Sequence, residues 1–251
     1  INTSRNPGEA SRINAQIRGL MNLFSRACYV GYTATPFANI FINPEADEEL
    51  KANLFPKHFI VTLDAPTNYF GAERIFGDES GEEFLRPITD NEDALPLIHK
   101  IDQVIDDIPG SLKAAVRAFV LARAIRILRG QGASHASMLV NASRFTRVQS
   151  QIRDVIHDYL DKVVRAIRHD GAKPEAEAIR NQHLNDLRDT WQAEYSHLDF
   201  EWSELQGQLL EAAAPMTVVE VNSRSSGKLA YDAHKETGLQ VIAVGGFSLS
   251  R

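Results

Sequence analysis

Three strings in this sequence bring hydroxyls, arginines or glycines to the ends of apolar runs, an arrangement suited to holding phosphate. The first, GYTATPFANIFI (Gly31–Ile42), leaves Tyr29-Val30 at Gly31, sets Thr33 and Thr35 around Ala34, and halts regular structure at Pro36. Ligands of open parallel sheets bind beyond the carboxyl ends of strands. Small hydroxyl residues there fit a phosphate-bearing site, and they equally fit an ordinary strand-to-turn transition. The second string, SMLVNASRFTRVQSQI (Ser137–Ile152), closes an apolar run at Asn141-Ala142-Ser143 and opens a helical pattern near Thr146, with Arg144 and Arg147 at its mouth. Hydroxyls, guanidinium groups and unpaired amides at a helix start suit a phosphate; arginines capping local carboxylates would use the same residues. The third, VIAVGGFSLSR (Val241–Arg251), opens into Gly245-Gly246 and ends at Arg251. Paired glycines let a ligand approach the backbone closely, or simply make a tight turn.

Other chemistries find little support. SRSSGKL (Ser223–Leu229) has the outline of a phosphate-binding loop, but Asn222 stands where the first glycine belongs and Leu229 where the magnesium-binding hydroxyl belongs. It reads as a post-strand turn in which Arg224 and Lys228 can touch nucleic acid. A metal-dependent nuclease needs carboxylates converging on a divalent ion, and PEADEELK (Pro44–Lys51) crowds its acids into eight residues with no strand pair to present them. The eight histidines show no metal-ligand spacing, the single cysteine, Cys28, supports no zinc site, and no G-x-S-x-G elbow is present. No metal ligands are assigned.

These strings need elements to hold them. Apolar, β-branched runs predict buried strands at Ala27–Tyr32, His58–Leu63, Ser137–Ala142, Met216–Val221 and Leu239–Val244. Between them, three- and four-residue spacing predicts helices over Ser11–Phe24, Ser111–Arg129 and, most strongly, Arg147–Arg168, where Val148, Ile152, Ile156, Leu160, Val163 and Ile167 share a face. A polar stretch, Pro174–Glu211, carries a narrow apolar stripe and reads as a helical insertion. Strands alternating with helices imply an α/β chain with parallel sheets. Two strand clusters imply two such sheets: the tail of one domain over 1–65, a mostly helical connector over 66–132, and a second domain over 133–251 with its insertion near 170–211.

At 251 residues, with 43% hydrophobic and 24% charged side chains, the chain is a folded globular protein and not a disordered or fibrous one. One cysteine, no signal-peptide core and no long apolar span predict a cytoplasmic protein without a membrane partner. The missing initiator Met and the ending just after a strand suggest a piece of something longer. The net charge of −6 argues against a generally basic nucleic-acid binder. It hides a segregation, however: residues 111–168 hold eleven basic and three acidic side chains, whereas 45–110 hold five and sixteen. The basic block is either a solvated helical face or a polyanion surface.

Thr33-Ala34-Thr35-Pro36 resembles the coupling motif closing the first RecA-like domain of superfamily 2 helicases, Ser137–Gln149 resembles their motif IV, and VGGFSLSR resembles their motif V loop. GYTATPFANIFI, LFPKHFIVTLDAPTNYFGAERIFG and VIAVGGFSLSR together resemble the Z-one domain, a bacterial family carrying an endonuclease label and found in helicase-like proteins of restriction and phage-defence systems. The likeness runs over nearly the whole chain. It implies a fragment of a two-RecA-domain motor that couples ATP hydrolysis, with Mg²⁺, to movement on DNA beside a nuclease partner. Thr33, Ala34 and Thr35 would relay nucleotide state. Ser143, Arg144, Arg147 and Arg224 would hold nucleic-acid phosphates, and Gly245, Gly246 and Arg251 would line the ATP cleft. The family's Walker A and B motifs are absent from this sequence, so the chain alone is expected to be inactive and to bind no ATP. The alternatives are a non-catalytic DNA-binding or docking module that recruits a nuclease and, least favoured, the nuclease itself.

Overall fold

A computed structural model describes residues 12–33, 60–64, 66–77, 84–222 and 229–246. The chain divides into two compact units, Ile1–Phe84 and Leu85–Arg251.

In the first unit the described elements are α1 (Arg12–Met21) and the short α2 (Ala72–Phe76). Helix α1 falls within the predicted span, but its apolar stripe is not covered: Ile13 and Leu20 are exposed, and Asn14 is the buried residue. The strand expected at Ala27–Tyr32 is irregular backbone, as are the described residues of the one expected at His58–Leu63. Val30, Tyr32, Val61 and Leu63 are exposed. β-branched composition favours a strand only where a neighbouring strand completes its hydrogen bonds and a layer covers its face. Among the described residues no strand pairs with 27–32, and Val30 and Tyr32 are exposed. Phe70 meets Phe84 edge-on at 4.9 Å and carries the Arg74 guanidinium on its ring.

The second unit packs a group of helices with one small parallel sheet. Helix α3 (Gly110–Leu128) leads to β1 (Ala136–Asn141), followed by α4 (Thr146–Asp170), α5 (Glu175–Ala178), α6 (Gln182–Glu194) and α7 (Trp202–Ala213). Strand β2 (Thr217–Val221), a 3₁₀ turn at Tyr231–His234 and β3 (Gln240–Gly245) complete it. The three strands form one parallel sheet in the order β1-β3-β2, with Met138 opposite Ile242 and Ile242 opposite Val218. All six residues of central β3 are buried. The mixed α/β class and the parallel sheet expected from the sequence are therefore present, as a small open sheet.

Each helix forms for a local reason. The apolar stripe of α4 runs through Val148, Ile152, Ile156, Leu160, Val163 and Ile167, all buried. Helix α3 starts after Pro109, and its first turn borrows a carboxylate from outside the helix: Asp90 accepts from Ser111 N–H at 2.8 Å and Ser111 Oγ at 2.6 Å. The Ser111 hydroxyl, then its amide, lowers the Asp90 pKa. Asn181 caps α6, and Glu201 with Glu204 forms a capping box on α7. The predicted insertion provides α5, α6 and α7, whose Leu184, Leu187, Leu205 and Leu209 are fully buried in one core with Ile152, Ile156 and Ile242. Each such burial contributes about 2 kcal/mol.

Candidate functional site at the carboxyl edge of the sheet

All three strands end on the same edge of the sheet. Beyond β1 the chain turns through Ala142–Phe145 into α4 at Thr146. Ser143 is buried at this corner. Its Oγ accepts the Phe145 N–H at 3.1 Å and lies 2.8 Å from His99 Nε2. One turn into α4, Gln149 is 2% exposed and donates Nε2–H to the Ser143 carbonyl at 2.8 Å. Its Oε1 accepts from Asn222 Nδ2, just past β2, at 3.0 Å. Asn222 also donates to Glu220, whose other oxygen accepts from Ser150 Oγ at 2.6 Å.

Strand β3 arrives at the same hub. Gly245 ends the strand opposite Asn141 and Val221, and Gly246 follows. A Cβ at Gly246 would collide with the Ser143 carbonyl oxygen and the Gln149 amide nitrogen. The close approach that this glycine permits is therefore to the chain's own corner. A helix side chain, Gln149, thus ties together the exits of β1, β2 and β3.

Arg144 and Arg147 stand on the solvent side of this hub. Both are exposed, and neither has a carboxylate within ion-pair distance. Arg144 lies over the Phe145 ring, Cζ to centroid 4.8 Å. The start of α4 has no side-chain cap and no acidic residue in its first turn. The positive end of a 25-residue helix dipole and two guanidinium groups therefore sit together, with no acidic residue in the first turn of the helix. Beside them lies an open cleft of about 520 Å³, lined among others by Leu97, Ile98, His99, Asn141 and Arg144.

Most of the basic block does other work. Lys113 pairs with Asp107 at 2.7 Å, Arg153 with Asp154 at 3.0 Å and Arg165 with Asp161 at 2.7 Å. Arg117 bonds Thr190 Oγ1 and the Tyr159 hydroxyl and faces Asp186. Arg126 bonds the His135 carbonyl, and Arg129 lies over Phe200. The block is therefore largely consumed inside the unit. Arg144 and Arg147, with Arg168 further along α4, remain exposed and without an ion-pair partner.

Of the other residues singled out from sequence, Thr33 is exposed at the end of the irregular 27–33 segment in the first unit. Ala34, Thr35, Arg224 and Arg251 lie outside the described residues. Among the described residues no three His, Cys, Asp or Glu side chains gather as for a metal, and no helix is long and apolar enough to cross a membrane. Sequence reading missed His99, Gln149 and Asn222. For Gln149 a signal existed, a polar residue one turn before Ile152 on the buried stripe. For His99 and Asn222 none did, because their partners are distant in sequence or lie on other elements.

No curated protein and no solved structure matches this chain. A family model, the Z1 domain, matches residues 111–251, from the first turn of α3 through the sheet, the arginine corner and Gly245-Gly246. The match leaves out GYTATPFANIFI and the 54–77 string, so the likeness is narrower than the near whole-chain span expected. It still covers more than half of the 251 residues, and on that match the chain belongs to the Z1 domain family.

Proposed function

We propose that this chain is the nucleic-acid-facing part of an ATP-dependent, helicase-like DNA translocase or remodeller with a RecA-like core, serving a restriction or phage-defence system in the cytoplasm. The observation that carries this reading is the pair of exposed, unpaired arginines at the uncapped start of α4, on the carboxyl edge of a parallel sheet. Guanidinium groups and helix amides hold backbone phosphates without reading bases. A corner packed against a sheet gives sequence-independent grip, which a motor moving along DNA needs.

ATP and Mg²⁺ do not fit the residues present. The sequence has no G-x-x-x-x-G-K-[ST] loop, the described residues gather no carboxylates for a metal, and Gly246 is closed against Ser143 and Gln149. A Walker loop and acidic motif from a longer protein would supply them, with Thr33 and Thr35 relaying nucleotide state. The chain itself is expected to release no phosphate from ATP above blank. Turnover abolished by a substitution within the chain would contradict this.

A second reading, a docking module that recruits a separate nuclease, draws on Leu97 and Ile98, which are 84% and 92% exposed beside the cleft. DNA affinity in a longer, Walker-containing protein separates the two: the motor reading expects it to change with bound nucleotide, the docking reading expects no change. Magnesium-dependent cutting of DNA by this chain would favour a nuclease over both.

A further inference from the structure

His99 lies in the irregular segment before α3, yet it holds both chain neighbours of Arg144. Its Nδ1 is 2.8 Å from the Pro96 carbonyl, which can only accept, so Nδ1 carries the proton and donates. In the neutral ring Nε2 is then an acceptor, and the Ser143 hydroxyl donates to it at 2.8 Å. The same Ser143 Oγ accepts the Phe145 N–H, so hydroxyl, ring and amide form one directed chain. The imidazole also meets the Phe145 ring edge-on at 5.8 Å, and that ring carries the Arg144 guanidinium on its face.

Ser143 and Phe145 are thus fixed on either side of Arg144, one by a hydrogen bond and the other by ring packing. Phe145 is also the cap position of α4, where no side chain caps the helix. Behind the corner, Gln149 holds the Ser143 carbonyl.

We propose that His99 is the positioning residue of the Arg144 corner, holding the guanidinium-bearing loop in its phosphate-binding geometry so that binding need not order it. The inference rests on the phosphate-binding reading above. Ordering one long side chain at an interface costs about 0.5–1.5 kcal/mol. Losing this pre-ordering should therefore raise Kd roughly twofold to twelvefold.

The test uses the whole chain and a fluorescein-labelled DNA duplex in anisotropy titrations, with thermal unfolding alongside. His99→Leu keeps apolar bulk against Phe145 and removes both hydrogen bonds. It should weaken binding by that factor in molecules that are folded, with the thermal midpoint lowered only by the loss of the two bonds. His99→Gln, whose amide can still meet Ser143, should recover most of the loss. In an Arg144→Gln background His99→Leu should cost nothing further, because it acts through the side chain already removed. A merely structural histidine would give equal losses in both backgrounds, and that result overturns the proposal. So does an unchanged Kd for His99→Leu while Arg144→Gln weakens binding, which would leave the phosphate-binding reading standing. If Arg144→Gln itself changes nothing, both fall. Should His99→Leu fail to fold, His99→Phe removes the same two hydrogen bonds while keeping a ring against Phe145, and carries the same expectations.

Discussion

At the amino end of the sheet Arg123 is 4% exposed and gives its guanidinium to the carbonyls of Gln131, Gly132 and Ser134, whereas at the carboxyl end Arg144 and Arg147 are exposed with no anionic partner. The amino end is closed upon itself. The Leu239 N–H donates to His135 Nδ1 at 2.8 Å, Arg126 holds the His135 carbonyl, and Gly238, at φ +73°, passes 2.6 Å from the Ser134 carbonyl in terms of where a Cβ would sit. The carboxyl end also has a closed polar hub, Gln149 with Ser143 and Asn222, but its cations point away from the hub. Arginines from one basic block therefore serve opposite ends: one donates to loop carbonyls of the fold, and the others are turned to solvent, where the proposed function would have them meet phosphate. Net charge by segment cannot separate these uses, because it counts the two alike.

The largest expected effect falls at the amino end. Arg123→Met takes the buried guanidinium from three carbonyls of the partly buried 131–134 loop and should destabilise the chain by about 3 kcal/mol. A fall in the urea midpoint, with unchanged DNA affinity for the molecules still folded, would mark Arg123 as structural. Retained stability with lost DNA binding would reverse the contrast between the two ends. At the carboxyl end, Gly246→Ala forces a Cβ against the Ser143 carbonyl and Gln149, and should cost about 1–3 kcal/mol while loosening DNA binding, since the corner must shift. An unchanged urea midpoint would show that the β3 exit is not locked to the corner.

The smallest expected effect is a titration far from either end. Burial pushes the pKa of His183 down, and its Nδ1 has no hydrogen-bond partner. A histidine with a depressed folded pKa stays neutral in the fold while the unfolded chain takes up a proton. Its stabilising effect is thus complete above the unfolded value, about 6.5, and is lost as pH falls below it. Thermal midpoints measured from about pH 7.5 to 5.5 should fall less steeply in His183→Phe, which keeps the ring beside Tyr159. Equal slopes would mean that His183 is not the titrating group.

The parts of the fold that were legible in the sequence are those whose signal is local. The stripe of α4 can be read from three- and four-residue spacing, and β3 from an unbroken apolar run in Val241–Val244, because burial on both faces leaves no alternation. Ala27–Tyr32 is also a mostly apolar run and is not a strand. What makes β3 a strand is β1 and β2 on its two sides, and composition carries no record of neighbours. The site divides likewise. Arg144 and Arg147 could be found from their place at the start of a helix with a clear apolar stripe. That Ser143 spends its hydroxyl on His99, 44 residues earlier, could not. The family match likewise begins at residue 111, where the packed core begins to be helical, and not at the threonine string.

The contrast between the two ends is decided most directly by the salt dependence of DNA binding. Each phosphate contact releases counterions and contributes about 0.9 to the slope of log affinity against log salt on duplex. Arg144→Gln and Arg147→Gln should each flatten that slope by about this amount, equally on unrelated sequences and with the thermal midpoint unchanged. An unchanged slope with lost stability would make these arginines structural, as Arg123 is, and would contradict a phosphate-binding edge.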